Sequence, residues 1–218
     1  MTDRLTSDRK GPPQADSAVI FLHGYGADGA DLLGLADPLA PHLPRTAFFA
    51  PNAPEPCRNN PMGYQWFPIP WLDGSSEADA RSSMIRSVGL LDAYLDSVLA
   101  AEGLTPDRLV LVGFSQGTMM ALHVAPRRDK AVAGIVGFSG RLLAPETLAA
   151  EARVKPPVLL IHGDEDQMVP FEDMGLAGNA LMAAGFTVYG HVMKGTGHGI
   201  SPDGLSVALA FIRDRLSA

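Results

Sequence analysis

Ten consecutive residues, Leu109 to Thr118, read Leu-Val-Leu-Val-Gly-Phe-Ser-Gln-Gly-Thr. An apolar, β-branched run of this kind is a strand buried on both faces, and the residues after it suit a sharp turn into a helix. The pattern Gly113-x-Ser115-x-Gly117 puts Ser115 at the corner, between residues with no side chains to collide during the reversal. Its hydroxyl then stands above the sheet edge, beside the N-terminus of the new helix. Negative charge developing on a substrate oxygen there is stabilised by the free amides of the first turn, and the N–H of Gln116 is the natural donor. Ser115 is therefore the candidate nucleophile.

The pentapeptide alone says little. In 218 residues with 23 glycines it arises by chance on the order of a tenth of the time. Its surroundings say more. Val19 to Leu22, Thr46 to Ala50, Val132 to Phe138, Val158 to Ile161 and Thr187 to Met193 read as further strands, separated by helical segments. The clearest helix is Ala78 to Glu102, where Met84, Val88, Leu91, Leu95 and Val98 recur every three or four residues and Gly103 ends the run. Asp28 is placed to cap a short helix through Leu33, Phe171 to Ala184 reads as a helix stopped by Gly185, and Pro202 to Leu216 reads as the last. Strands alternating with helices predict an α/β fold: a mostly parallel twisted sheet with helices on both faces.

A nucleophilic serine needs a base and a group to orient it, and in folds of this kind the order is Ser, acid, His. Val158 to Ile161 ends in His162-Gly163-Asp164-Glu165-Asp166-Gln167-Met168-Val169-Pro170, which displays acidic residues at a strand end. Asp164 and Asp166 are both placed to accept an imidazole proton, and the residues themselves leave that choice open. Further on, His198 sits in the glycine-flanked loop Lys194 to Ser201 and is the candidate base. His42 and His123 read as surface or packed residues and His191 as a strand residue. His23 and His162, each before a glycine at a strand end, suit turns or support of a site.

Four blocks carry a resemblance: His23-Gly24-Tyr25-Gly26-Ala27-Asp28-Gly29, Gly113-Phe114-Ser115-Gln116-Gly117, His162 to Pro170, and Gly197-His198-Gly199-Ile200. In order and placement they resemble the bacterial carboxylesterase, phospholipase and acyl-protein thioesterase family of α/β-hydrolases, from about Ser17 onward. The resemblance implies an α/β-hydrolase fold and a Ser115-His198-Asp166 triad, with Asp166 as the acid and Asp164 structural. It implies that the backbone N–H of Tyr25 is the second oxyanion donor, beside Gln116. Tyr25 stands where the family more often has leucine, Thr118 where it often has another glycine, and Pro68 where aspartate usually follows Trp-Phe. These differences touch substrate range rather than the triad. The implied activity is hydrolysis of short- to medium-chain carboxylic esters through an acyl-enzyme, or of lysophospholipids or acylated proteins by the same triad, with no cofactor.

Residues 51–76 are the least regular stretch, rich in proline and carrying Met62, Trp66, Phe67, Trp71 and Leu72. A segment so long and apolar reads as a lid or binding wall. Trp66, Trp71 and Leu72 are expected to face an acyl chain, and Met168 to add a soft surface beside the acid.

Composition bounds the remaining classes. At 46% hydrophobic and 19% charged residues, the chain suits one globular domain over residues 17–218, preceded by a flexible tail over 1–16. The net charge of −7, without a basic cluster longer than Arg127-Arg128, argues against nucleic acid or an anionic membrane as partner. The expected partner is a small ester or acylated substrate, and an apolar patch near residues 51–76 offers a surface for a homodimer. A single cysteine, Cys57, excludes an internal disulfide framework. The polar first sixteen residues and the lack of a long apolar run lead to a cytoplasmic expectation.

Two other readings compete. Gly24-x-Gly26-x-x-Gly29 after a strand matches a dinucleotide-binding fingerprint, but the next strand runs into Pro51-Asn52-Ala53-Pro54 and offers no acidic residue for a ribose. A metal held by His162, Asp164 and Asp166 would need ligands crowded on one tight turn, so no metal is expected. A noncatalytic binding protein on this fold would be expected to have lost a member of the triad, and all three residues are present.

Overall fold

The computed structural model describes residues 4–217. Among these, nine strands and eight α-helices alternate along the chain. The strands are β1 (Ser7–Lys10), β2 (Ser17–Leu22), β3 (Thr46–Pro51), β4 (Glu55–Pro56), β5 (Tyr64–Gln65), β6 (Leu109–Phe114), β7 (Gly134–Phe138), β8 (Val158–Gly163) and β9 (Val188–Met193). The helices are α1 (Gly29–Leu33), α2 (Ala36–Leu39), α3 (Pro70–Asp73), α4 (Glu77–Glu102), α5 (Gln116–Val124), α6 (Pro145–Glu151), α7 (Glu172–Ala183) and α8 (Pro202–Leu216). Seven strands form one sheet in the order β1-β3-β2-β6-β7-β8-β9. All neighbours are parallel except β1, which pairs antiparallel with β3.

The sequence of each central strand explains the two layers of core. Period-two alternation sends Ala18, Ile20, Leu22, Leu109, Leu111, Val158 and Leu160 into one cluster, shared with Leu91, Leu95 and Val98 of α4. Val19, Phe21, Val110, Val112, Leu159 and Ile161 enter the other, shared with Leu32 of α1, Leu39 of α2 and Ile212 of α8. Because both faces are covered, the strands read as continuous apolar runs.

The capping chemistry sets the helix ends. Ser76 Oγ accepts from the Asp79 amide at 3.0 Å to start α4, and Gly103, at φ 66°, terminates it in the left-handed conformation that a Cβ would strain. Asp28 caps α1 through the Asp31 amide at 2.9 Å.

Two expectations change here. Residues 7–10, expected within a flexible tail, form the edge strand β1, with the Tyr94 hydroxyl 2.5 Å from Ser7 Oγ and Arg9 paired to Glu102 at 2.8 Å. Residues 1–3 of that expected tail lie outside the described residues. The segment 51–76, read as the least regular stretch and as a lid or binding wall, contains the β4–β5 hairpin and the single turn of α3.

Candidate active site

At the carboxyl end of β6 the chain reverses at Ser115, whose φ of 53° and ψ of −114° are strained for any residue with a side chain. The reversal works because the flanking positions lack Cβ atoms. A Cβ on Gly117 would stand 1.9 Å from the Leu22 carbonyl oxygen, and one on Gly113 would stand 2.4 Å from the Thr118 amide nitrogen. Two donors then hold the corner through one acceptor: the Ser115 amide and Thr118 Oγ1 bond the Phe138 carbonyl at 2.9 and 2.8 Å.

β8 delivers the acid. The Asp166 side chain is fully buried, and its Oδ2 lies 2.7 Å from His198 Nδ1. Its Oδ1 accepts from the Met168 and Val169 amides, both at 2.9 Å. Burial by itself would raise this carboxyl, but the His198 bond and the two amides outweigh it and hold it below the usual aspartate range. Asp164 has the other role: its Oδ1 accepts from the Gly195 amide at 2.7 Å and so fastens the loop that carries His198. Glu165 N–H bonds the Thr196 carbonyl at 3.0 Å, completing that seam. The Phe114 ring packs against the imidazole of His198, with centroids 4.8 Å apart.

The loop after β2 supplies the other side. His23 is fully buried, bonded at Nδ1 to the Gly24 carbonyl at 2.8 Å and accepting at Nε2 from the Ala53 amide at 2.9 Å. This pattern fixes a neutral ring with the proton on Nδ1. Burial outweighs the Gly24 bond and lowers the imidazole below the ordinary histidine range. His162 likewise supports rather than reacts: it is buried, with Nε2 bonded to the Val169 carbonyl at 3.0 Å, behind the acid.

Ser115, His198, Tyr25 and Gln116 all line one cavity of about 830 Å³. Ser115 lines that space, and among the described residues its hydroxyl carries no hydrogen bond. Trp71, Leu72 and Met168 line the same cavity and are 74%, 37% and 51% exposed.

Trp66, expected on the acyl-facing wall, does not line the cavity. Its indole is fully buried, with Nε1 donating to the His23 carbonyl at 3.0 Å, and it packs in the core between the sheet and α4. Only residues 67–72 of the 51–76 segment reach the cavity, while earlier residues pack against the loop after β2. There Gly26 N–H bonds the Tyr64 carbonyl at 2.8 Å and Asn60 Nδ2 bonds the Gly26 carbonyl at 2.7 Å.

Sequence reasoning missed several lining residues. Met84 belongs to the apolar stripe of α4, where nothing in the spacing separates a cavity residue from a core one. Met119 and Leu143 are equally silent. Arg141 carried a signal, as a charged residue shortly past the end of β7, and it pairs with Asp173 at 2.8 Å. Gln116, expected to act through its backbone, has a structural use for its side chain that the sequence did not suggest: Oε1 accepts from the Trp66 amide at 2.9 Å and Nε2 donates to the Phe67 carbonyl at 2.7 Å.

Residues 9–216 match the phospholipase/carboxylesterase family. The chain is 31% identical to acyl-protein thioesterase 1 of Gibberella zeae, covering 93% of this chain and 92% of that protein. It is 34% identical to a probable carboxylesterase of Oryza sativa, covering 93% and 79%. Among solved structures, esterase PE8 superposes with a TM-score of 0.92 at 42% identity, over 98% of this chain and 100% of that one. SOBER1 of Arabidopsis thaliana superposes at 0.80 with 28% identity, over 93% and 100%. The α/β-hydrolase sheet, the strained serine corner and these likenesses together place the chain in the phospholipase/carboxylesterase family, whose members are esterases and thioesterases.

Proposed function

We propose that the protein hydrolyses carboxylic esters of short to medium acyl chain in two steps, through an acyl-enzyme on Ser115. His198 takes the serine proton as Oγ attacks the ester carbonyl, then returns it to the departing alcohol. Water repeats the sequence to release the acid. Asp166 holds the imidazole with its proton on Nδ1 and stabilises the imidazolium that forms. The backbone amides of Tyr25 and Gln116 receive the oxyanion, each worth about 3 to 4 kcal/mol in the transition state. The observation that carries this reading is the buried Asp166 carboxylate 2.7 Å from His198 at the edge of the cavity that Ser115 lines.

Initial rates on p-nitrophenyl esters from acetate to palmitate, wild type against Ser115→Ala, test it. Turnover lost in the variant supports the mechanism, and near-normal turnover in the variant would falsify it. A second reading, thioester cleavage on acylated protein, is favoured by the name of the Gibberella zeae relative and uses the same residues. Matched oxygen and sulfur esters of one acyl chain separate the two. No helix among the described residues is long and apolar enough to cross a membrane. Cytoplasmic residence belongs to the proposal, and cell fractionation checks it.

A further inference from the structure

The two ends of the cavity wall are held very differently. At Trp66 and Phe67 the chain is sewn to the body of the protein. The Gln116 amide bonds both residues, Ser87 Oγ donates to the Trp66 carbonyl at 2.5 Å, and the Trp66 indole reaches the His23 carbonyl. Only a few residues later, at α3, the attachment is thin. Among the described residues, one hydrogen bond joins α3 to the protein outside residues 51–76: the Tyr25 hydroxyl donates to Asp73 Oδ2 at 2.9 Å. Asp73 uses its remaining capacity close to its own turn, on the Ile69 amide at 2.8 Å and the Ser75 amide at 2.9 Å. Yet α3 carries Trp71 and Leu72, two exposed apolar side chains at the cavity.

The residue that makes this attachment is itself unusual. Tyr25 lines the cavity and carries the proposed second oxyanion amide, while its phenol crosses to the wall. A leucine there would give the same amide and no bond. The acceptor is a full carboxylate: burial pushes Asp73 up, but the bonds from Ser75, Ile69 and Tyr25 bring it down to about 2, so it is charged at any ordinary pH. Burial, with Cys57 and Asp73 alongside, raises the Tyr25 phenol, so it stays a donor. Hydrogen bonds to a charged partner are among the stronger ones.

We infer that Tyr25 is a specificity-determining positioning residue whose phenol fastens α3, and with it Trp71 and Leu72, beside Ser115 to receive medium-length acyl chains. The inference rests on the esterase reading. An acetyl group has one methyl beyond its carbonyl and little to gain from the wall. An octanoyl chain has seven carbons beyond its carbonyl to lay against it, and gains only if the wall is already in place when it arrives. With the phenol gone, the cost of ordering α3 opposes the binding of the long chain and leaves the short one largely indifferent.

The experiment compares kcat/KM on p-nitrophenyl octanoate with that on p-nitrophenyl acetate in wild type, Tyr25→Phe, Asp73→Ala and the double variant. Tyr25→Phe is expected to lower the octanoate-to-acetate ratio by about tenfold, with KM for octanoate rising; because Tyr25 also carries an oxyanion amide, any change in acetate turnover is read separately from that ratio. Asp73→Ala is expected to lower it by at least that factor, since it also strips the Ile69 and Ser75 amides of their acceptor, and the double variant no further than Asp73→Ala, because the Tyr25 phenol then has no bond left to lose. An unchanged ratio in either single variant overturns the inference, as does a fall on both esters alike, which is what a merely structural role would give. Additive losses in the double variant also overturn it. Should Tyr25→Phe fail to fold, Asp73→Ala decides alone by the same ratio. Wild-type silence on every ester overturns the esterase reading and this inference with it, a result distinct from active wild type with an unmoved ratio.

Discussion

Asp164 and Asp166 lie two residues apart with the same carboxylate, and the structure gives them opposite work. Asp166 is buried under His198 with both oxygens engaged, while Asp164 holds the Gly195 amide. Replacing Asp166 by Asn keeps the size and shape of the side chain but no longer enforces the imidazole tautomer. Steady-state kcat on p-nitrophenyl acetate should fall by about a thousandfold to ten-thousandfold while the protein remains folded by circular dichroism. The residue types and their order made Ser115, His198 and an aspartate after β8 candidates in the sequence, and the structure brings His198 and Asp166 together at the cavity that Ser115 lines, but no pattern could say which way an aspartate on a turn points. Trp66 shows the same limit. It is a large apolar residue in an irregular segment, and only three-dimensional packing separates the buried indole from the exposed Trp71. Trp66→Ala should destabilise the protein by about 3 to 5 kcal/mol in urea denaturation. Trp71→Ala should change stability by no more than about 0.5 kcal/mol and raise KM for long acyl esters instead.

The serine corner is a joint between β6, α5 and β7, and its parts fit only together. Thr118 occupies space that Gly137 and Gly140 leave open: a Cβ on either would stand 2.6 or 2.4 Å from its side chain. Its hydroxyl shares the Phe138 carbonyl with the Ser115 amide. Thr118→Val keeps the shape and removes one donor from an acceptor that retains the other. The expected loss is about 1 kcal/mol, read as a shift of the urea midpoint. Gly117→Ala, by contrast, forces a methyl into the Leu22 carbonyl and should abolish soluble folded protein or displace the corner and end turnover. The joint was legible because apolar runs, glycines and the helix after them carry it. β1 was not, because Ser7–Lys10 has no apolar face: it is a polar edge strand, held by pairing with β3 and by Tyr94. α6 escaped as well, although Pro145 stands at its first position, where proline commonly opens a helix.

Across the whole molecule, acid should be the most damaging condition. His23 is held neutral mainly by burial, and His123 is pushed down to about 4 by burial and by the charge of Arg127. Once unfolded, each takes up a proton near the ordinary histidine value of 6.5. The unfolded chain therefore binds more protons than the folded one, and stability falls as pH drops below that value. Asp166, lowered in the fold, adds a further loss as pH falls through the ordinary aspartate value of 3.8. The urea midpoint should be flat just above neutrality and decline from about pH 6.5 toward pH 4, with Asp166 continuing the decline below that as the His123 contribution is exhausted; a midpoint that rises between pH 6.5 and pH 4 would contradict the assignment of His23 and His123 as neutral. The placement of the two tryptophans has a spectroscopic consequence. One indole is sealed in the core beneath the oxyanion loop and the other stands in water at the cavity mouth, and the sequence contains no third. The protein thus carries two optical reporters of opposite meaning: acrylamide should quench Trp71 alone until the chain unfolds, and an acyl ligand that covers the wall should protect that emission without altering the bluer signal of Trp66.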